Sequence, residues 1–238
     1  MEMFRRIFVV AVFAGLIAGL ALSALQQWRV VPLILQAEKY EVGFHDTSHA
    51  DETQPVASDH VKVNDSQPWA PADGVERTLY TVLATTLVGI GYTLVLVAVS
   101  ALVGIDITVS NGVMWGLGGF LTFALAPAFG LPPELPGIVA ADLDARQMWW
   151  WGTALSTGVG LLAMAKFRTV IGVLGGIALI AIPHLLGAPA SPGVASDIPA
   201  HLSSAFTVST LATAMVFWML SGTGIGVFNQ RFANGAGL

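Results

Sequence analysis

Six stretches of this chain are each apolar enough, over roughly 20 residues, to fill the hydrocarbon core of a bilayer. They cover 7–26, 79–103, 112–130, 148–165, 169–186 and 203–228. The sequence therefore predicts an all-α membrane protein, a polytopic bundle of six transmembrane helices. Pro127 and several glycines interrupt the third stretch, and reading it as a re-entrant segment lowers the count to five. Arg5 and Arg6 before the first stretch resemble the start of a signal peptide. A signal core usually has 7–15 apolar residues. This one is longer and contains Gly15-x3-Gly19, so it reads as a retained helix.

The few charges are unevenly placed. Only 11% of the 238 residues are charged, below half the roughly 25% of an average soluble domain. Residues 26–78 hold nine acidic and four basic side chains, which accounts for the whole net charge of −5. The chain is thus a neutral, apolar bundle carrying one long acidic loop, 27–78. A negative total disfavours nucleic acid as a partner. The absence of cysteine excludes thiolate metal sites, iron–sulfur clusters and disulfides.

Basic residues near helix ends favour the cytoplasm. Arg5, Arg6, Lys166, Arg168 and Arg231 fall on one side, against Arg29, Arg77 and Arg146 near helix ends on the other. This places both termini in the cytoplasm and the acidic loop outside. Trp28 and Trp149-Trp150-Trp151 then sit at the outer interface, where indoles are favoured. Residues 32–40 read as an amphipathic continuation lying on the outer surface, and 46–73 as irregular. Packing between lipid-embedded helices relies on small residues. Gly15-x3-Gly19, Gly112-x3-Gly116, Gly172-x3-Gly176 and Gly222-x3-Gly226 supply them.

Candidate chemistry lies on the outer side. His45 and His49 are four apart, so on a helix they share a face and can bind one divalent ion through imidazole nitrogens. Asp46, Asp51 and Glu52 add oxygen donors. Such N/O sites suit cobalt, nickel and zinc without ranking them. A solvated acidic loop with scattered histidines, His60 among them, is the competing reading. His184 follows Pro183 at the outer end of the fifth stretch, and His201 follows Pro199 at the start of the sixth. An interfacial role competes with a ligand role at each. In the turn 130–137, Pro132, Pro133 and Pro136 fix the backbone and remove donors. Glu134 is therefore held stiffly near the outer boundary, either as one exposed acid or as a carboxylate beside a cation path. A helix start or an ion pair accounts for Asp142, Asp144 and Arg146, a turn for Asp106, and an interfacial pair for Glu76 and Arg77. No His-Glu-x-x-His, P-loop or nucleophile elbow occurs, so neither an enzyme nor an ATP-driven step is expected of this chain.

Several strings together resemble the CbtA family, proposed cobalt transporter subunits of bacteria. They are Phe4-Arg5-Arg6, Pro32-Leu33-Ile34 with Ala37-Glu38 and Tyr40-Glu41, Glu76-Arg77, and Trp115-Gly116-Leu117-Gly118-Gly119-Phe120. Ala126-Pro127, the turn 130–137, Arg146-Gln147 before Trp149-Trp150, Pro183-His184 with Gly187-Ala188-Pro189, and Trp218 complete the likeness. It spans nearly the whole chain. The resemblance implies a multi-span subunit of a cobalt uptake system in the bacterial inner membrane, linked to cobalamin synthesis. It implies transported Co²⁺, with Ni²⁺ or Zn²⁺ as alternatives, and no permanently bound cofactor. It also implies a small single-span partner, CbtB-like, with a histidine-bearing terminus. The family is usually described with five spans. The outward set expected to meet the ion is His45, Asp46, His49, Glu134, His184 and His201. The rival expectation is a non-transporting structural or assembly subunit of a larger membrane complex, and a continuous polar path through the bundle separates the two.

Overall fold

A computed structural model describes residues 2–47, 71–72, 74–192 and 198–235. Helix α1 spans Glu2–Arg29, α2 Val31–Thr47 and α3 Val75–Val103. Helix α4, Gly112–Phe120, runs through a π-helical turn, Leu121–Leu125, into α5, Ala126–Gly130. Then come α6, Leu143–Phe167, α7, Val170–Leu186, and α8, Ala200–Gly235. No strand occurs among the described residues.

All six expected apolar stretches are helical. Four segments are long and apolar enough to cross a membrane: Arg5–Arg29, Val75–Val103, Gly112–Gly130 and Ala200–Phe232. Helix α7 is a shorter apolar helix. Helix α6 has 25 residues, which at 1.5 Å each is about 37 Å, but three tryptophans and several Gly, Ser and Thr residues dilute its apolarity. The amphipathic 32–40 segment lies within α2, whose helix continues to Thr47. Residues 48–70 and 73 of the acidic loop lie outside the described residues.

Helix α1 packs along both α3 and α8, α8 packs on α4, and α6 pairs with α7. Glycine sets each of these approaches. A Cβ on Gly19 would lie 2.8 Å from Thr86 Cα, and one on Gly15 would run into Thr93. Thr93 adds a hydrogen bond between helices, donating to the Ala11 carbonyl at 2.8 Å. A Cβ on Gly112 would lie 2.6 Å from the Gly222 carbonyl oxygen, and one on Gly226 would meet the Thr108 carbonyl. The α6–α7 contact turns on Gly160 and Gly176, where a Cβ on the first would sit 2.6 Å from the carbonyl of the second. Gly172 instead lies against the Phe167–Thr169 turn, so one glycine of that expected pair serves the helix start. Where lipid removes the hydrophobic drive between helices, such van der Waals contact is what holds them.

The π-turn has a covalent cause. Pro127 has no N–H, and its ring crowds the carbonyl four residues back, which is Phe123. The ladder widens ahead of it, and the Ala126 N–H reaches the Leu121 carbonyl five residues away. The wider turn is filled by aromatic packing. Phe123 stacks on Trp218 of α8 with ring centroids 5.4 Å apart and planes 8° apart, and Tyr92 of α3 meets Trp218 edge-on at 5.1 Å.

Cross-links between helices define the two ends of the bundle. At one end Arg6 donates to the Asn229 carbonyl at 3.4 Å, Asn229 to the Ile107 carbonyl at 3.0 Å, and Lys166 to the Val103 carbonyl at 3.5 Å. At the other, Arg77 pairs with Glu38 of α2 at 2.9 Å, and Val30, Ala37, Leu135, Ile198, Leu202 and Phe206 form a separate buried cluster. Glu134, His184 and His201 all belong to this second end.

Candidate functional site

The second end carries a cleft whose mouth is built by two local devices. The first is the start of α6. Asp142 caps it, its carboxylate accepting the Ala145 N–H at 3.0 Å. This satisfies an otherwise orphaned donor and sets the direction of Arg146 one turn on. The second is the proline turn. Leu131 N–H closes onto the Pro127 carbonyl at 2.8 Å. Gly137 takes φ 83°, a left-handed value that glycine alone adopts without strain. The Thr207 hydroxyl of α8 donates to the Pro133 carbonyl at 3.0 Å, and Leu135 is buried in the end cluster. Pinned on both sides, Glu134 presents its carboxylate to Arg146, which donates to it at 3.3 Å.

Beneath this pair the cleft encloses about 460 Å³. Gln147, Trp150 and Trp151 of α6 form one wall, Thr210, Leu211 and Ala214 of α8 the other, and Phe123 and Ala124 of the π-turn the floor. Glu134 is the one carboxylate among the lining residues and Arg146 the one cation. The side chains of Arg146 and Glu134 are 31% and 22% exposed, so the pair is partly shielded from water and its attraction partly screened. With Arg146 in place the two charges cancel. Arg146 engages one carboxylate oxygen, and its charge opposes any cation that approaches the other.

Apart from the Gln147 amide in the wall, the polar side chains below the mouth carry hydroxyls. Every buried polar side chain among the described residues is serine or threonine. Thr210, which lines the cleft, has a buried hydroxyl with no hydrogen-bond partner, as do Thr86, Thr153 and Thr157. Such groups are costly in an apolar interior and are the oxygen donors available along the helices.

The remaining expected site residues are dispersed. His184 is partly buried between Phe129 and Trp149, with ring centroids 6.1 and 5.8 Å away. The Trp149 indole N–H donates to the neighbouring Pro183 carbonyl at 3.2 Å. His201 is exposed in the first turn of α8, where its carbonyl accepts the Ser204 hydroxyl at 3.0 Å. Among the described residues no three His, Asp or Glu side chains gather into a metal-holding group. Glu134, His184 and His201 thus share an end of the bundle without forming one ligand set. His45 and Asp46 fall in the last turn of α2, with their side chains outside the described residues. His49, Asp51, Glu52 and His60 lie outside them entirely.

Sequence reasoning missed three features. Arg146 pairs with Glu134, twelve residues away, while Asp142 serves as a cap. Arg77 reaches Glu38 of α2. The π-turn was signalled only by Pro127 inside an apolar stretch.

Residues 4–230 match a family model described as "Probable cobalt transporter subunit (CbtA)". No curated protein and no solved structure matches the chain.

Proposed function

Because this chain belongs to the CbtA family of probable cobalt transporter subunits, we propose that it is the integral-membrane subunit of a divalent-cation uptake system and that it admits the ion, chiefly Co²⁺, at the Glu134 end. The observation that carries this reading is the cleft with a single carboxylate at its mouth, lying between helices that family membership assigns to a membrane transporter. All six helical stretches cross the bacterial inner membrane, both termini are cytoplasmic, and the acidic loop 27–78 faces outward. That loop raises the local cation concentration by its field. His45, Asp46 and His49 capture the ion, and Glu134, His184 and His201 receive it in turn. Dispersed donors give weak, exchangeable coordination, which suits a cargo that must leave again. The same N/O donors accept Ni²⁺ or Zn²⁺. The chain carries no ATP-binding motif, so the driving force comes from a gradient or from another subunit. The family's small single-span, CbtB-like subunit is the expected partner, and cobalamin synthesis the expected consumer of the cobalt.

Cobalt accumulation in cells tests the path. At equal membrane levels, Glu134→Ala and His184→Ala each lower accumulation several-fold relative to the unmodified chain. Unchanged accumulation in both removes the path. A structural or assembly role is favoured by the absence of buried carboxylate or histidine within the described helices. It predicts that both variants accumulate cobalt normally while deletion of the whole chain dissolves a larger complex.

A further inference from the structure

The helices around the cleft form two groups. In the first, α1, α3, α4 and α8 are seated together by the backbone contacts at Gly15, Gly19, Gly112 and Gly222. In the second, α6 and α7 pack on each other through Gly160 and Gly176, and α5 joins them where Gly130 meets Trp149 and Ala188. The π-turn, Leu121–Leu125, is the covalent link from α4 in one group to α5 in the other. It is also where the backbone ladder is already irregular, next to a proline that donates nothing. Such turns are common places for helices to bend.

The mouth of the cleft is spanned differently. Thr207 and the Leu135 cluster tie the proline turn to α8 and α2, on the side of the first group. Arg146 belongs to α6, in the second. The turn is continuous with α5 and α6 at its two ends, and the Glu134–Arg146 pair adds one 3.3 Å hydrogen bond that holds α6 to it at the mouth, away from the π-turn.

We infer that the π-turn is a hinge and the Glu134–Arg146 pair a latch that a divalent cation releases. The inference rests on the reading of the Glu134 end as the place where cations are admitted, and concerns how that place is regulated. A guanidinium keeps its proton at any ordinary pH, so Glu134 is freed only by displacement. A divalent ion competes for the same oxygens with twice the charge. Repelled by the guanidinium, it binds more tightly to the arrangement in which Arg146 has left, and this differential affinity is what allows a ligand to shift a conformational equilibrium. Release lets α6 and α7 swing away from α8 about Leu121–Leu125.

The chain has no cysteine, so paired spin labels can be placed without background. Met148 on α6, Val208 on α8 and Leu83 on α3 are all exposed. In the full chain in lipid nanodiscs, M148C/V208C reports the cleft and L83C/V208C reports the first group alone. Zn²⁺ serves as a diamagnetic probe ion. It should shift the M148C/V208C distance on the order of 5 Å, about one helical turn, and leave L83C/V208C unmoved. Arg146→Gln should show the shifted distance without zinc. Pro127→Ala, which restores an N–H to the ladder, should suppress the zinc response. Zinc without effect on M148C/V208C in the otherwise unmodified chain, with L83C/V208C at its folded distance, overturns the proposal. So does an unshifted Arg146→Gln protein. Because the distances need no transport, a zinc-dependent shift combined with normal cobalt accumulation in Glu134→Ala would overturn the uptake reading and leave the latch standing.

Discussion

Replacing Gly222 with leucine lowers both the amount of folded protein in the membrane and its thermal midpoint. A Cβ at this position would run into the Gly112 carbonyl oxygen and sit 2.6 Å from the Gly116 N and 2.9 Å from its Cα. All three are backbone atoms, so no side chain can turn aside, and α4 must separate from α8. Separation also breaks the Phe123–Trp218 stack that fills the widened turn. Overpacking a well-fitted core costs about 1–3 kcal/mol and occasionally more, against a total stability of only about 5–15 kcal/mol. At about 2–4 °C per kcal/mol for a chain of this size, the thermal midpoint falls by about 2–12 °C. Gly118, two residues after Gly116 and so on the other face of α4, is the control. A Cβ there meets nothing within 4 Å, and Gly118→Ala keeps its membrane level and midpoint. Equal midpoints for the two variants would mean that α4 and α8 are not seated together.

The second large effect is electrostatic. Glu134→Lys places two positive charges at the mouth of the cleft, where the carboxylate and Arg146 now cancel. Unit charges about 4 Å apart near a protein surface interact by about 4 kcal/mol at an effective dielectric constant of 20, and a divalent ion feels more. Each 1.4 kcal/mol is tenfold in binding, so cobalt accumulation in cells should fall by more than tenfold at matched membrane levels. The exchanged pair, Glu134→Lys with Arg146→Glu, restores both the bridge and an acid at the mouth. It should recover a substantial part of the uptake lost by the single variant. Equal loss in single and double variants would show that the carboxylate acts only from its own position on the proline turn. Normal uptake in Glu134→Lys would remove the mouth from the path.

Much of the fold is legible in the sequence because lipid imposes one rule on every segment, internal satisfaction of the backbone. Each apolar stretch accordingly becomes a helix. Gly112 and Gly116 meet Gly222, as the small-residue spacing suggests, while Gly226 meets the Thr108 carbonyl instead, and the three prolines around Glu134 hold it at the rim. Other features were hidden for definite reasons. An apolar face reads the same whether it meets lipid or another helix, so hydropathy could not say that α6 and α7 stand apart as a pair. Tryptophan is polar enough at the indole N–H to lower the apparent apolarity of α6, although Trp149 satisfies that group internally on the Pro183 carbonyl. The Glu134–Arg146 bridge closes a twelve-residue interval whose path depends on Gly137 and the Asp142 cap. Its existence follows from turn geometry rather than from spacing. His184 and Glu134, both expected on the outer side, share one end of the bundle, yet His184 faces Phe129 and Trp149 rather than the carboxylate.

The most direct measurement is anomalous scattering at the cobalt edge from crystals of the full chain soaked in Co²⁺. Admission of the ion at the Glu134 end predicts a cobalt peak about 2.1 Å from a Glu134 carboxylate oxygen, the usual carboxylate distance for such ions, with the Arg146 guanidinium turned out of the cleft. Saturating cobalt that leaves the Glu134–Arg146 bridge intact, with cobalt peaks only elsewhere on the protein, would contradict it.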